Sequence, residues 1–286
     1  MVKGTRYNRI NNKLDILIAS TIINSGAISI RDVDNGDEPF VYSTGNRGPG
    51  YLMIKGLVGQ PSILKSLTKW LAHKVVKEAK FDFIEGNATG GMIPGWQLRN
   101  DISDLLGKEV PFCYLRGSRK EGGHGELITG NQNNPLIKPG MKALIVEELV
   151  NYAGTTANAA EEFRAAGHPV SHAACILSYD HTQSNSKLKE KKITLVPLIT
   201  LPRLLDIAKY HKWLPLKSIQ SYRDFLKDPL EWQLNRNLVI PESSAMKAQE
   251  KGYQMKYIDP KDAIKMGAPA GKVKEGVRYW ALKNGK

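Results

Sequence analysis

Two adjacent carboxylates, Glu147 and Glu148, close an apolar run, Leu144-Ile-Val-Glu-Glu. A short turn leads from them into a helical stretch, Ala153-Gly-Thr-Thr-Ala-Asn-Ala-Ala160. Carboxylates accept hydrogen bonds from sugar hydroxyls and repel phosphate. A helix start does the opposite, offering free backbone N–H groups and the positive end of a dipole. Gly154 allows close backbone approach, and Thr155 and Thr156 add hydroxyl donors. The segment therefore fits the two ends of one sugar phosphate. It also fits strand-end acids followed by an ordinary Thr-capped helix. A second segment, Tyr114-Leu-Arg-Gly-Ser-Arg-Lys-Glu-Gly-Gly-His-Gly125, sets Arg116, Arg119, Lys120 and His124 among glycines. Cations on such a loop suit a lid over a polyanion. A third, Glu85-Gly-Asn-Ala-Thr-Gly-Gly-Met-Ile-Pro94, contains Gly90 and Gly91 and reads as a strand-to-helix turn able to cradle an anion. Each is weak alone. Three anion-suited loops, each following a strand, point to one ligand.

Such loops need a frame that gathers strand ends. Apolar spacing predicts helices over Lys13–Ser25 (Leu14, Leu17, Ile18, Ile22) and Ser62–Lys80 (Ile63, Leu67, Trp70, Leu71, Val75). Between them, Glu38–Met53 reads as short strands and turns. The chain then alternates. Strands are expected at 81–84, 110–115, 142–146, 172–177 and 192–198, and helices at 94–106, 155–166 and 201–210, with a long loop over 117–139. Short apolar strands alternating with helices mean βαβ units and an open parallel sheet, whose ligands sit at the carboxyl ends of the strands. Ser184–Lys192 reads as a polar, solvated connection. From Pro241 onward ten Lys or Arg meet five Asp or Glu with little apolar periodicity, which predicts an appendage or a partly mobile tail.

The 286 residues are 41% hydrophobic and 24% charged, ordinary for a globular protein. Lys and Arg number 41 against 28 acids, a net charge of +13, which favours phosphorylated metabolites, nucleic acid or a membrane surface as partners. Cys113 and Cys175 sit in apolar runs, offer neither a disulfide framework nor zinc spacing, and suit a reducing compartment. The polar N-terminus lacks a signal-peptide core, and no stretch reaches the roughly 18 apolar residues of a membrane span. A cytoplasmic location is expected, with no membrane partner. Nucleic acid remains open on charge, although no RNA motif and no aromatic platform accompanies the basic residues.

Taken together, these segments resemble the type I phosphoribosyltransferases, and within them the orotate phosphoribosyltransferases. The resemblance runs from about Leu14 to Asn235. It rests on Glu147-Glu148 through Thr156, on the Arg116…Lys120…His124-Gly loop, and on the Ala88-Thr-Gly-Gly-Met-Ile-Pro94 turn. Phe40-Val-Tyr-Ser-Thr-Gly45, Ile193–Leu205 and Ser221-Tyr-Arg-Asp-Phe225 add to it. It implies an α/β fold with an open parallel sheet flanked by helices, over residues 1–237. Residues 1–60 would contribute a small hood, and 238–286 a basic extension of unassigned role.

The implied activity is transfer of ribose 5-phosphate from phosphoribosyl pyrophosphate (PRPP) to a base, orotate first. Glu147 and Glu148 would hold the ribose hydroxyls. Asn151, Ala153, Gly154, Thr155 and Thr156 would hold the 5-phosphate, with Gly90 and Gly91 in the PRPP site. Arg116, Lys120 and His124 would be the catalytic lid over pyrophosphate, serving the neighbouring subunit of a homodimer. Tyr42, Ser43 and His181 would meet the base. Mg²⁺ would ride on PRPP without dedicated protein ligands. The chain departs from the family pattern in its Glu-Glu pair, where Asp-Asp is usual. One residue is added at Asn151-Tyr152, and His181 stands where orotate enzymes carry Arg. These departures keep open a transferase for another base, or a non-catalytic PRPP-sensing or nucleic-acid-binding protein.

Overall fold

A computed structural model describes residues 12–117, 127–131 and 134–283. The chain forms two compact units. One runs up to Ala27 and resumes over Met53–Tyr210; the other combines Ile28–Leu52 with the residues from His211 onward.

The first unit contains, in order, α1 (Lys13–Asn24), α2 (Pro61–Glu78), β1 (Phe83–Asn87), α3 (Met92–Leu106), β2 (Phe112–Leu115) and β3 (Ile128–Thr129). After these come β4 (Ala143–Val150), α4 (Gly154–Ala165), β5 (Val170–Ser178), α5 (Thr182–Glu190), β6 (Thr194–Thr200) and α6 (Leu201–Tyr210). The sheet order is β6-β5-β4-β1-β2-β3, parallel throughout except for the short antiparallel β3. The central strands β1 and β4 are buried along almost their whole length, as parallel strands covered on both faces require. On one face Phe83, Ile145 and Cys175 pack with Ala159, Ala160 and Phe163 of α4. On the other, Val146 meets Gly95 of α3.

The register of β4 positions the acids. Its pairing with β1 ends at Gly86–Val146, but its pairing with β5 continues through Glu147–Cys175 to Val150–Ser178. Glu147 and Glu148 therefore lie within the strand, beyond the end of one neighbour, and not after its last residue as expected from the sequence. Successive strand residues face opposite sides. Glu147 follows Ile145 toward α4, and Glu148 follows Val146 toward the turn that opens α3.

Two further expectations are corrected. Ser184–Lys192 is not an irregular connection. It is mostly helix α5, anchored by buried Ser184 and Leu188, with its charges outward. The residues after Pro241 are not a loose tail. They form Glu242–Glu250, Pro260–Lys265 and Ala270–Lys274 as helices, and Met255–Ile258 and Tyr279–Leu282 as strands. The last strand is the centre of an antiparallel sheet with Ile240–Pro241 and Met255–Ile258 on its flanks. Val239, Ile258, Ala263, Ala268, Tyr279 and Ala281 make its core.

Within the same unit, Phe40–Val41 pairs with Arg47–Gly48 as the expected short strands. The buried Arg47 guanidinium donates to the carbonyls of Gly267 and Val239 (3.2 Å for the latter). Residues 238–283 are thus built into a unit with 28–52 and 211–237.

Candidate functional site

Glu147 is the hub of the site. Its Oε1 accepts from Asn87 Nδ2 at 2.7 Å, from Thr155 Oγ1 at 3.0 Å and from Thr156 Oγ1 at 3.3 Å. Glu147 and the helix start are therefore joined by direct hydrogen bonds. The sequence reading aimed both Thr hydroxyls at a phosphate; here they are turned onto Glu147. All three donors reach the same oxygen, so Oε2 keeps its acceptor capacity. Burial raises the Glu147 pKa to about 7, with the Glu148 charge adding to the rise, against the pull of the three hydrogen bonds.

The helix start supports an anion with its backbone. Ala153 precedes α4 in the left-handed region (φ 56°) and no side chain caps the helix. The first turn thus presents backbone N–H groups that have no intrahelical partner, at the positive end of the dipole. Asn151 and Tyr152 are exposed on the approach to this turn.

Glu148, half-buried, lies over the Gly-rich turn. A Cβ at Gly90 would overlap its carboxylate, and one at Gly91 would overlap the Val146 carbonyl oxygen. The two glycines are thus required by close approach to β4. Burial pushes the Glu148 pKa up; backbone N–H groups and the Lys55 charge pull it back. Lys55, on a 3-10 turn over Ile54–Gly59, donates from Nζ to Thr89 Oγ1 at 2.7 Å.

Beneath the site lies a third acid. Glu85 on β1 is fully buried; its Oε1 accepts from the Leu115 N–H at 3.1 Å and its Oε2 has no partner among the described residues. Burial, reinforced by the Glu147 charge, raises its pKa well above the usual carboxylate range. The neutral acid is the form such a position tolerates.

His181 stands at the start of α5, stacked between two tyrosines. Its ring centroid is 4.9 Å from Tyr152, at 10° between planes, and 5.3 Å from Tyr179. Burial lowers its pKa, against the pull of Asp180, so a neutral ring occupies the column at neutral pH.

Arg116 lies at the end of β2, its N–H donating to the Leu127 carbonyl at 3.0 Å. Arg119, Lys120 and His124 fall outside the described residues. Tyr42 and Ser43 belong to the other unit, on the turn between Phe40–Val41 and Arg47–Gly48; Ser43 is exposed and Tyr42 Oη donates to the Gly50 carbonyl at 2.6 Å. Sequence reasoning missed Asn87, Lys55 and Glu85. Asn87 and Glu85 lay inside the quoted Gly-rich segment, but the strand was expected to end at 84, so neither read as a polar residue in a buried strand. Lys55 carried none, since nothing in its spacing links it to Thr89.

Comparison with known proteins bears on the family and the fold. No protein-family model matches the chain. It is 30% identical over 199 residues to the orotate phosphoribosyltransferase of Listeria innocua, covering 68% of this chain and 89% of that one. Among solved structures it is similar to the UMP synthase of Leishmania donovani, with a TM-score of 0.58 and 22% identity, covering 74% of this chain and 42% of that protein. It is also similar to the orotate phosphoribosyltransferase of Aeropyrum pernix, with a TM-score of 0.51 and 21% identity over 66% of this chain and 97% of that one. The structural likenesses speak for the fold. Among the described residues, no helix is long and apolar enough to cross a membrane.

Proposed function

Because the chain belongs to the orotate phosphoribosyltransferase family, we propose that it transfers the ribose 5-phosphate of PRPP to orotate, giving orotidine 5'-phosphate and pyrophosphate. The observation that carries this reading is the bonding of Glu147 to Thr155 and Thr156, which puts a hydroxyl acceptor and a phosphate-binding helix start at one place. In the reaction the ring nitrogen of the base forms a bond to C1, and the C1–O bond breaks with its electron pair leaving on pyrophosphate. The N–H proton of the base passes to solvent. The transition state has positive character at C1 and growing negative charge on the leaving group, so the protein works by positioning and electrostatics.

Glu147 Oε2 and Glu148 accept from the ribose hydroxyls; the backbone N–H groups that open α4 hold the 5-phosphate. Glu148 offers a hard oxygen donor suited to a Mg²⁺ ion held mostly by PRPP itself, and such an ion would neutralise charge on the pyrophosphate. Arg116, Lys120 and His124 form the lid that excludes water. A homodimer, with this loop closing on the neighbouring site, and a cytoplasmic location belong to the same reading.

The neutral Tyr152–His181–Tyr179 column favours a second reading, a transferase for an uncharged base, because a cation would suit the orotate carboxylate better. A pyrophosphate-release assay with PRPP, Mg²⁺ and a panel of bases decides. Turnover of orotate alone is expected. Turnover of an uncharged base alone establishes the second reading, and release with no base at all contradicts transferase function.

A further inference from the structure

We infer that Lys55 is a further residue that binds the pyrophosphate end of PRPP and places positive charge on it as the C1–O bond breaks. This deepens the proposed function and rests on that reading. Lys55 lies outside every motif described above and far in sequence from the acids. Three observations bring it to the reacting bond. Its Nζ bonds Thr89 Oγ1 at 2.7 Å, inside the turn that also holds Gly90 and Gly91. Its charge is felt by Glu148. Glu148 in turn lies directly over Gly90. The ammonium therefore stands where the Gly-rich turn meets the second acid. With ribose hydroxyls on the acids and pyrophosphate on the turn, the C1–O–P linkage must pass this point.

The 3-10 turn that carries Lys55 is fixed from below. Ile54 and Leu57 are buried, the turn packs on β4 and α2, and the Met53 N–H donates to the Ala27 carbonyl at 2.8 Å. The Gln60 side chain, at the end of the turn, donates to the Ser25 carbonyl at 2.9 Å. Lys55 itself is exposed, so its flexible stem is free to leave Thr89 for a ligand oxygen.

Electrostatics gives the residue its purpose. Glu147 and Glu148 are gathered in this region, and pyrophosphate is a polyanion. A cation between them offsets repulsion in the ground state, and its contribution grows as the departing group gains charge. Lys55 donates hydrogen bonds and takes no part in bond making or breaking.

The test compares the parent chain with Lys55→Met and Lys55→Arg. Titration calorimetry measures pyrophosphate and ribose 5-phosphate separately, alongside initial rates with PRPP and orotate. In Lys55→Met, pyrophosphate binding is expected to weaken at least tenfold while ribose 5-phosphate stays within twofold. The kcat should fall about 10²-fold, with KM for orotate unchanged. Lys55→Arg is expected to recover most of the pyrophosphate affinity. Thermal melts show that the variants fold. Equal weakening of both ligands, no weakening of either, or failure of Arg to rescue overturns the role of Lys55 while the parent's turnover leaves the proposed function standing. A parent that turns over no base and binds neither ligand overturns both.

Discussion

A Gly90→Ala chain is expected to fold normally and to lose turnover by about 10²-fold or more. The added methyl would overlap the Glu148 carboxylate, which is the far end of a flexible side chain. That carboxylate can swing aside at little cost to stability, but it then leaves the position from which it would meet the ribose. The melting temperature should stay within about 2–4 °C, the shift expected for about 1 kcal/mol in a domain of this size. Gly91→Ala provides the contrast. Its methyl would overlap the Val146 carbonyl oxygen and crowd the Asn87 backbone, neither of which can rotate away. There the fold itself should weaken, with activity lost as a consequence. Initial rates and melts of the two variants separate these causes. Full turnover in Gly90→Ala would remove Glu148 from the site.

The second large effect concerns Glu147 and pH. In the ligand-free chain its pKa lies near 7, raised first by burial. The carboxylate is the form that accepts from a ribose hydroxyl. The kcat/KM for PRPP should therefore fall as pH drops below about 7, tenfold per unit once the acid is mostly protonated. Asn87 supplies a hydrogen bond that favours the charged form. Asn87→Leu should accordingly move this acid limb to higher pH. Glu147→Gln keeps the shape and the Oε1 acceptor but turns the Oε2 position into a donor, so it should lose about 10² or more in rate and remove the limb altogether. The sign for stability is the opposite of that for activity. A carboxyl with a raised folded pKa stabilises the fold most below its unfolded value, and that contribution is lost as pH rises through about 7. A pH–rate profile with the same acid limb in Glu147→Gln would assign the limb to another group.

Much of the first unit was legible because its elements are long and strongly patterned. Leu201–Tyr210 ends where its periodicity does, and the stripe of α2 was read from Ile63, Leu67, Trp70, Leu71 and Val75, of which the structure buries Leu67, Leu71 and Val75 together with Leu64. The pairing of acids with a helix start was legible too, since strand, turn and helix follow one another directly in sequence. What the spacing hid was which way each side chain turns. That β4 runs on to Val150 depends on its partner β5, and only this places Glu147 and Glu148 on opposite faces. Helix α5 escaped because it buries only Ser184 and Leu188, too few for an apolar stripe. The C-terminal residues escaped for a related reason. Their core takes single residues such as Val239, Ile258, Ala268 and Tyr279 from short elements, so no window carries a period. Lys55 is the furthest case: its partner Thr89 is brought to it only by tertiary packing.

The most direct measurement is a crystal structure of the chain with ribose 5-phosphate. The phosphate is expected on the backbone N–H groups that open α4, around Gly154–Thr156, with the sugar hydroxyls on Glu148 and on Glu147 Oε2. A sugar phosphate bound elsewhere, or one whose hydroxyls touch neither acid, would contradict the joint grip of the acid pair and the helix start on a single ligand.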